Sequence, residues 1–340
     1  MGAGTQSGAV AAFDEVYLRS DLFVRNSREL DRVSVPSLQR PMDQPGFDRS
    51  YASSYSTQLR AVTARLFCHY WRDLSYYGVK MQVMLVLGLI LGLVYRGIST
   101  DSESGLLSAI ALLNLCCGFV GLIHCFAALP VIMRLRDVFY RERSSQTYAG
   151  WTHAMGLGIV EIPFVFASML CFALPVYWLV GFTASASLFF RFLLVVSLMA
   201  LLFAYVGVVL ASALPNISLA AMVQGAIVSF GFLFAGVYIR RPNMPAYWSW
   251  LYYINPIPKG FVALAIQQFD CTDAPDGTQH CPRVSSVQYG DGTKWHFVEQ
   301  YLASGGGEWQ ARYIGWIVCS IGIIFLAALL VISKISHVKR

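Results

Sequence analysis

Long apolar blocks alternate with short polar segments along most of the chain. No residue between Gly105 and Met133 is charged, and Glu161 is the only charged residue between Trp151 and Phe182. A helix that crosses a bilayer core of about 30 Å needs roughly 20 apolar residues. Six blocks come to about that length, at residues 78–96, 107–133, 152–181, 188–213, 217–239 and 313–333. The pattern predicts an all-α polytopic membrane protein with six transmembrane helices.

The amino-acid composition also indicates a membrane protein. The chain has 340 residues, of which 56% are hydrophobic and only 13% are charged, whereas a soluble domain carries about a quarter charged residues. About 75 mostly polar residues precede the first block, so that block is not a cleaved signal peptide. We therefore expect an integral membrane protein.

The net charge is +6, and the cations cluster next to the blocks on one side. They are Arg60, Arg65, Arg72 and Lys80 before the first block, four Arg after the second, and Lys334, Lys339 and Arg340 after the sixth. By the positive-inside rule, both termini are cytoplasmic. Six more cations lie between Arg240 and Arg312, but loops beyond about 60 residues cross the membrane largely regardless of charge.

The segment Arg134–Tyr148, RLRDVFYRERSSQTY, is a charged island between the second and third blocks, and we call it the charged segment. Six of its fifteen side chains are formally charged. One interpretation is a cytoplasmic docking surface, in which these charges pair with a partner. The alternative is a solvated loop that only satisfies the positive-inside rule.

The N-terminal part of the chain divides into two regions. Residues 1–55 are polar and contain three prolines, which is typical of a linker or of a fragment of a neighbouring domain. Residues 56–73 carry apolar side chains at helical spacing among three arginines, which predicts a basic amphipathic helix on the inner membrane surface. The apolar positions are Leu59, Val62, Leu66, Tyr70 and Trp71.

Between the fifth and sixth blocks, Asn243–Phe269 is apolar but contains three prolines and several Trp and Tyr residues. Proline interrupts a continuous span, and Trp and Tyr favour the membrane–water boundary. We predict short re-entrant helices in the outer leaflet, followed by a helix from about Phe261. Cys271 and Cys281 are the only two cysteines of the long outer loop. They should form a disulfide in an oxidising compartment, the alternatives being free thiols or bonds to a partner chain.

Glu161 is the one ionisable residue well inside a predicted span, two residues before Pro163. A carboxylate at that depth faces the protein interior and is paired or neutral. Two interpretations remain open. Glu161 belongs to a polar relay between the cytoplasmic and outer halves, or it is a protonated side chain bonded to a neighbouring helix.

The sequence contains no motif of a soluble enzyme. It has no GxxxxGK[ST] phosphate loop, no HExxH motif, no CxxC pair and no GxSxG elbow. Its six His residues are scattered along the chain, so we expect neither a catalytic site nor a metal or cofactor site in this chain.

These motifs together resemble the membrane domain of G-type ABC transporters, especially the pleiotropic-drug-resistance branch, over roughly residues 50–340. The resemblance rests on HYWRD before the first span, VFYRERSSQTY after the second, EIPF in the third, YWSWLYYINPIPKGF and the cysteine-bearing outer loop. It implies that residues 1–55 are a linker after a nucleotide-binding domain and that residues 56–340 are the membrane domain.

The resemblance also implies partners. ATP and magnesium would lie on separate nucleotide-binding domains, and a second membrane domain would complete the transporter, in the same polypeptide or in trans. Membrane lipid and a lipophilic substrate are expected partners, and nucleic acid is not. Plasma membrane is the expected location.

In the resembling family the charged segment docks on the nucleotide-binding domain, and the second and fifth spans line the substrate cavity. The residues carried over as coupling contacts are Arg136, Phe139, Tyr140, Arg141, Glu142 and Arg143. Those carried over to the cavity are Phe119, Ile123, Ser229, Phe230 and Phe232, with Val237 and Tyr238 at the gate.

The leading hypothesis is the membrane-spanning part of an ATP-driven exporter of lipophilic small molecules or lipids. A second hypothesis is a regulatory or binding membrane subunit that does not transport. A third is a proton-coupled secondary transporter that uses Glu161, which inverted repeats would support.

Overall fold

The computed structural model describes residues 15–39, 51, 53–98, 100, 102–239, 243–269, 283–286, 290–302 and 309–335. It contains two compact units, Met1–Ala52 and Ser53–Arg340. In the first unit, α1 spans Asp21–Gln39 and begins with an aspartate, whose charge is favourable at a helix N-terminus. The polar pattern of residues 1–55 did not predict this helix.

The second unit is mostly helical. Its helices are α2 (Tyr55–Arg72), α3 (Leu74–Val94), α4 (Glu103–Ser144), α5 (Gly150–Val180), α6 (Ala186–Ala213), α7 (Ile217–Leu233), α8 (Ser249–Ile254), α9 (Pro256–Phe269), α10 (Lys294–Leu302) and α11 (Trp309–Lys334). Among the described residues, five helices are long and apolar enough to cross a membrane: α3, α4, α5, α6 and α11. The polytopic prediction is therefore confirmed for five of the six spans.

The predicted span over residues 217–239 is not confirmed as one helix. Helix α7 is apolar but only 17 residues long, and it ends at Leu233. Three residues later, Gly236 adopts a φ of +92°, a left-handed conformation that glycine tolerates far better than other residues. The backbone therefore leaves the helical path before residue 239.

Helices α3 and α5 pack closely because α3 presents glycines to its neighbour. A Cβ atom at Gly88 would lie 2.6 Å from the carbonyl oxygen of Phe172, and one at Gly92 would lie 2.9 Å from that of Pro175. Such a Gly-x-x-x-Gly pattern allows two helix backbones to approach inside a membrane. In contrast, α3 makes few contacts with α4.

Helix α4 is the longest helix, with 42 residues, and it packs most extensively on α6. Ser102 caps its N-terminus by accepting a hydrogen bond from the Gly105 amide. The helix continues through Pro130 and most of the charged segment, up to Ser144. The sequence predicted a span that ends at residue 133, followed by the charged segment, but the span and most of that segment form one helix.

Helix α2 packs on α5 and confirms the predicted amphipathic pattern. Its buried residues, spaced by four, are Gln58, Val62, Leu66 and Tyr70. The structure differs from the prediction at two positions. Gln58 is buried in place of the neighbouring Leu59, which is only half-buried, and Trp71 is 59% exposed.

At the end of the bundle opposite the charged segment, the chain forms α8 and α9. Helix α9 begins at Pro256, five residues before the predicted start, because proline suits the first turn of a helix. It is almost entirely buried and packs against α4, α6 and α11. Two short antiparallel strands follow, β1 (Arg283–Ser286) and β2 (Gly290–Thr293), with Arg283 opposite Thr293.

Candidate functional site

A buried ion pair joins α3 to α5. The ammonium of Lys80 lies 2.8 Å from Oε1 of Glu161, and both side chains are 3% exposed. The sequence placed Glu161 facing the interior, which is confirmed. It treated Lys80 as a flanking cation, but α3 begins at Leu74, so Lys80 lies two turns inside the helix.

Tyr76, one turn before Lys80, completes this site. Its hydroxyl lies 3.0 Å and 3.2 Å from the two carboxylate oxygens of Glu161 and donates to them, while it accepts from the Lys80 ammonium at 3.3 Å. The ring of Tyr70 packs edge-on against Tyr76, with 5.1 Å between centroids. Glu161 therefore accepts hydrogen bonds from an ammonium and a phenol at one buried site.

A second buried polar contact links α4 to α5. Nδ1 of His124 donates to the carbonyl of Val120 at 2.9 Å, and Nε2 lies 3.0 Å from Oγ of Ser168. Both side chains are fully buried. Neither residue was predicted as part of a site, although each is one of the few polar side chains of its apolar block.

The charged segment is tied to α2 by a third cluster. Arg65 binds both carboxylate oxygens of Glu142, and the Tyr148 hydroxyl donates to Oε2 of Glu142 at 2.5 Å. The hydrogen bond to Glu142 raises the pKa of the Arg65 guanidinium. Burial and the same carboxylate raise the pKa of the Tyr148 hydroxyl. The cluster therefore keeps a cation, an anion and a neutral phenol together.

Two arginines of the charged segment bind the C-terminal ends of other helices. Arg136 donates to the carbonyls of Leu214 and Pro215, just after α6, at 2.7 Å and 2.8 Å. Arg143 lies 3.4 Å from the carbonyl of Ile335, after α11. Cations are favourable at helix C-termini, where carbonyls lack intrahelical partners.

The other proposed coupling residues differ in exposure. Phe139 is buried and stacks on His153 with 4.5 Å between ring centroids. Tyr140 is half-buried, whereas Arg141 is exposed. Of the six residues predicted as docking contacts, only Arg141 is exposed, and it lies next to the exposed Val138.

The proposed cavity residues lie on α4 and on α7. The rings of Phe119 and Phe232 meet edge-to-face at 5.9 Å. Ser229 and Phe230 are on the exposed face of α7, and Ile123 lines a groove beside α4.

The proposed gate residues follow the bend at Gly236. Val237 is half-buried against the core, and Tyr238 is 65% exposed. The predicted disulfide between Cys271 and Cys281 lies outside the described residues.

The groove separates α3 from α4 and has a volume of about 630 Å³. Most of its lining is aliphatic or aromatic, and Tyr76 and Lys80 contribute to one wall. Arg134 lines it too and donates to Asp73 at 3.1 Å. The groove thus brings the buried ion pair next to an open apolar surface.

A family model for the ABC-2 type transporter matches residues 57–269. The chain belongs to the ABC-2 type transporter family. It is similar to pleiotropic drug resistance protein 1 of Nicotiana tabacum, with 30% identity over 260 residues, which is 76% of this chain and 18% of the relative. It is also similar to ABC transporter G family member 36 of Oryza sativa subsp. indica, with 27% identity over 345 residues, covering 99% of this chain and 22% of the relative.

Pleiotropic drug resistance protein 1 of Petunia axillaris is 30% identical over 329 residues, covering 94% of this chain and 21% of that protein. The chain therefore spans about a fifth of the length of these relatives. The matched region of this ABC-2 type membrane domain runs from α2 to α9. It contains the Lys80–Glu161 pair, the Arg65–Glu142 pair and the groove.

Proposed function

We propose that the chain is the membrane-spanning part of an ATP-driven exporter of lipophilic small molecules or lipids. The observation that carries the proposal is the match of the ABC-2 membrane family across α2 to α9, together with relatives named as pleiotropic drug resistance proteins. Because the sequence has no phosphate-binding loop, the proposal assigns ATP and magnesium to separate nucleotide-binding domains.

The proposed topology has six spans in the plasma membrane. Helix α7 and the residues after it form the fifth span, and both termini and the charged segment are cytoplasmic. Arg136 supports this arrangement, since its bonds to Leu214 and Pro215 hold the α6–α7 turn beside the charged segment. Helix α8, rich in Trp and Tyr, is the proposed re-entrant element of the outer leaflet.

Coupling to a nucleotide-binding domain is proposed for the exposed side of the charged segment. Arg141 and Val138 offer a charge and an apolar side chain to a partner. Arg136, Glu142 and Arg143 act indirectly in this proposal, because they tie the docking helix to α6, α2 and α11. Phe139 and Tyr140 pack the same helix against the rest of the domain.

The substrate cavity is proposed to form between this domain and a second membrane domain. Phe119, Phe232 and Ile123 contribute apolar surface, and so does Phe230 on the exposed face of α7. Apolar and aromatic walls suit lipophilic substrates that are held mainly by buried area. Ser229 adds one hydroxyl, and Val237 and Tyr238 form the proposed gate.

Glu161 is proposed to act as a polar relay through Lys80 and Tyr76, which connect α3 to α5. The direct contacts of Glu161 with Lys80 and Tyr76, which tie two helices together, support this role. In this proposal the buried polar network stabilises one packing of α3 on α5 over another.

A chimeric transporter tests the proposed function. This chain replaces the matching region of the Nicotiana tabacum relative, and ATP-dependent efflux of a lipophilic dye is measured in membrane vesicles. We expect efflux that requires ATP and the nucleotide-binding domains of the host. Correct insertion without any ATP-dependent efflux, while the parent transporter works in the same vesicles, would refute the exporter proposal.

A further inference from the structure

The groove between α3 and α4 exists because α3 packs on α5 and hardly touches α4. Its volume of about 630 Å³ lies within the range of roughly 300–1,000 Å³ found for small-molecule sites. Val83 and Leu122 line its apolar part. The groove is therefore large enough for one compact ligand.

The wall of the groove contains a charged donor that is not fully used. An ammonium has three N–H donors. Lys80 directs one to Glu161 and one to Tyr76, and no acceptor for the third is found in the part of the chain that the structure describes. An unused donor of a buried charge is costly in apolar surroundings. An acceptor that enters the groove would relieve this cost.

We propose that the groove binds one lipophilic molecule that carries a carbonyl or carboxylate oxygen. The oxygen accepts from Nζ of Lys80, and the hydrocarbon body lies along Val83, Leu122 and Ile123. A hydrocarbon chain without an oxygen would fit the apolar walls but leave the donor unused. A transmembrane helix of a second domain already uses its backbone acceptors within the helix, so it satisfies the donor less well.

Binding at this position would complete the contacts of the buried pair. The ligand oxygen accepts from the third N–H of the ammonium, so an occupied groove leaves the hydrogen bonds of Lys80 to Glu161 and Tyr76 in place. The description of this ligand as a transported substrate rests on the proposed function. The existence of the binding site does not.

Photolabelling tests the proposal on the 340-residue chain in lipid nanodiscs. One probe is a long-chain ketone with a diazirine, and its control is the hydrocarbon of equal length with the same diazirine and no carbonyl. We expect the ketone to label peptides of α3 and α4 about tenfold more than the hydrocarbon, the ratio that about 1.4 kcal/mol of binding energy gives. Equal labelling by the two probes would overturn the proposal. Labelling of α11 by the ketone as strong as that of α3 and α4 would overturn it too.

A matched pair of variants tests the location. Val83→Trp fills the groove, whereas Val318→Trp adds the same bulk at a position of α11 that is 50% exposed. Ketone labelling of α3 and α4 should fall about tenfold in the first variant and change by less than about twofold in the second. Equal labelling in both variants contradicts binding in the groove.

The role of Lys80 is tested by the double variant Lys80→Met with Glu161→Gln, which leaves no unpaired charge. The ketone should then lose its advantage over the hydrocarbon, and a retained advantage contradicts the proposed donor. If the double variant does not fold, the Val83 and Val318 pair still decides the location. All measurements are made without ATP, so a failed transport assay and a failed binding assay are distinguishable.

Discussion

At the scale of single residues, the pairing of Lys80 with Glu161 changes the effect that a substitution of either residue should have on stability. Considered alone, Glu161 invites an exchange for Gln that keeps its shape and removes its charge. In the structure that exchange also leaves the Lys80 ammonium without its anionic partner, in a site where both side chains are 3% exposed. Removing one partner of a buried pair is costly because the other charge stays buried.

We therefore expect Glu161→Gln to lower the unfolding free energy by about 3–5 kcal/mol. Lys80→Met combined with Glu161→Gln should recover most of that loss, because no charge is left unpaired. Thermal unfolding of the purified variants in detergent measures both effects. If Glu161→Gln unfolds at the same temperature as the unmodified chain, the ion pair does not stabilise the fold. Efflux by the stable double variant then tests the relay separately.

Gln224 on α7 gives a second prediction at this scale. Its side chain is fully buried, and neither its Nε2 nor its Oε1 has a partner among the described residues. Gln58 serves as the matched control, because it donates to Ser53 at 2.9 Å and accepts from Ala149 at 3.0 Å. Gln224→Leu should leave the melting temperature unchanged or raise it, whereas Gln58→Leu should cost about 1–3 kcal/mol. A larger loss in Gln224→Leu than in Gln58→Leu would contradict the packing described here.

At the scale of helices, the contact between Arg65 and Glu142 is the link between α2 and the charged end of α4. Arg65→Glu or Glu142→Arg places like charges together, and we expect each to reduce ATP-dependent efflux in the chimera. The double exchange restores opposite charges and should recover part of the activity. Exposed surface pairs contribute only about 0–1 kcal/mol, so protein levels should change little. Lack of recovery in the double exchange would show that the two residues act independently.

The close packing of α3 on α5 gives a prediction for a glycine pair on one helix. Gly88→Ala puts a methyl group 2.6 Å from a carbonyl oxygen of α5, whereas the nearest atom to a methyl group at Gly78 is 3.7 Å away. We expect Gly88→Ala to cost about 1–3 kcal/mol, as overpacked sites do. Gly78→Ala should be neutral or stabilising, because alanine favours helices. Similar thermal unfolding of both variants would contradict this close approach.

The hydrophobic pattern predicted some helices better than others, for a physical reason. It placed the span that became α5 at residues 152–181, close to the observed Gly150–Val180, because a membrane helix needs an apolar run of fixed length. It missed the continuation of α4 to Ser144, because Arg and Glu are good helix formers without an apolar signal. It also missed the pairing of Lys80 with Glu161, which only the packing of α3 on α5 reveals.

At the scale of the whole molecule, the arrangement of the helix ends predicts whether Asn216 is glycosylated. This residue begins the N-glycosylation sequence Asn216–Ser218. Arg136 holds the neighbouring turn against the charged segment. We propose a cytoplasmic location for this segment from the positive-inside rule. We expect Asn216 to carry no glycan when the chain is expressed in eukaryotic cells. A shift in mass after glycosidase treatment, lost in Asn216→Gln, would show that the topology is inverted.

The length of α4 has a mechanical consequence. At about 1.5 Å per residue, 42 residues extend roughly 63 Å, twice the thickness of the hydrocarbon core. One uninterrupted helix thus carries Phe119 in its membrane half and Arg141 at its charged end, with Pro130 between them as the point where the backbone ladder lacks a hydrogen bond. We therefore expect a displacement of the end that bears Arg141 to move the end that bears Phe119 as well, because no loop lies between them.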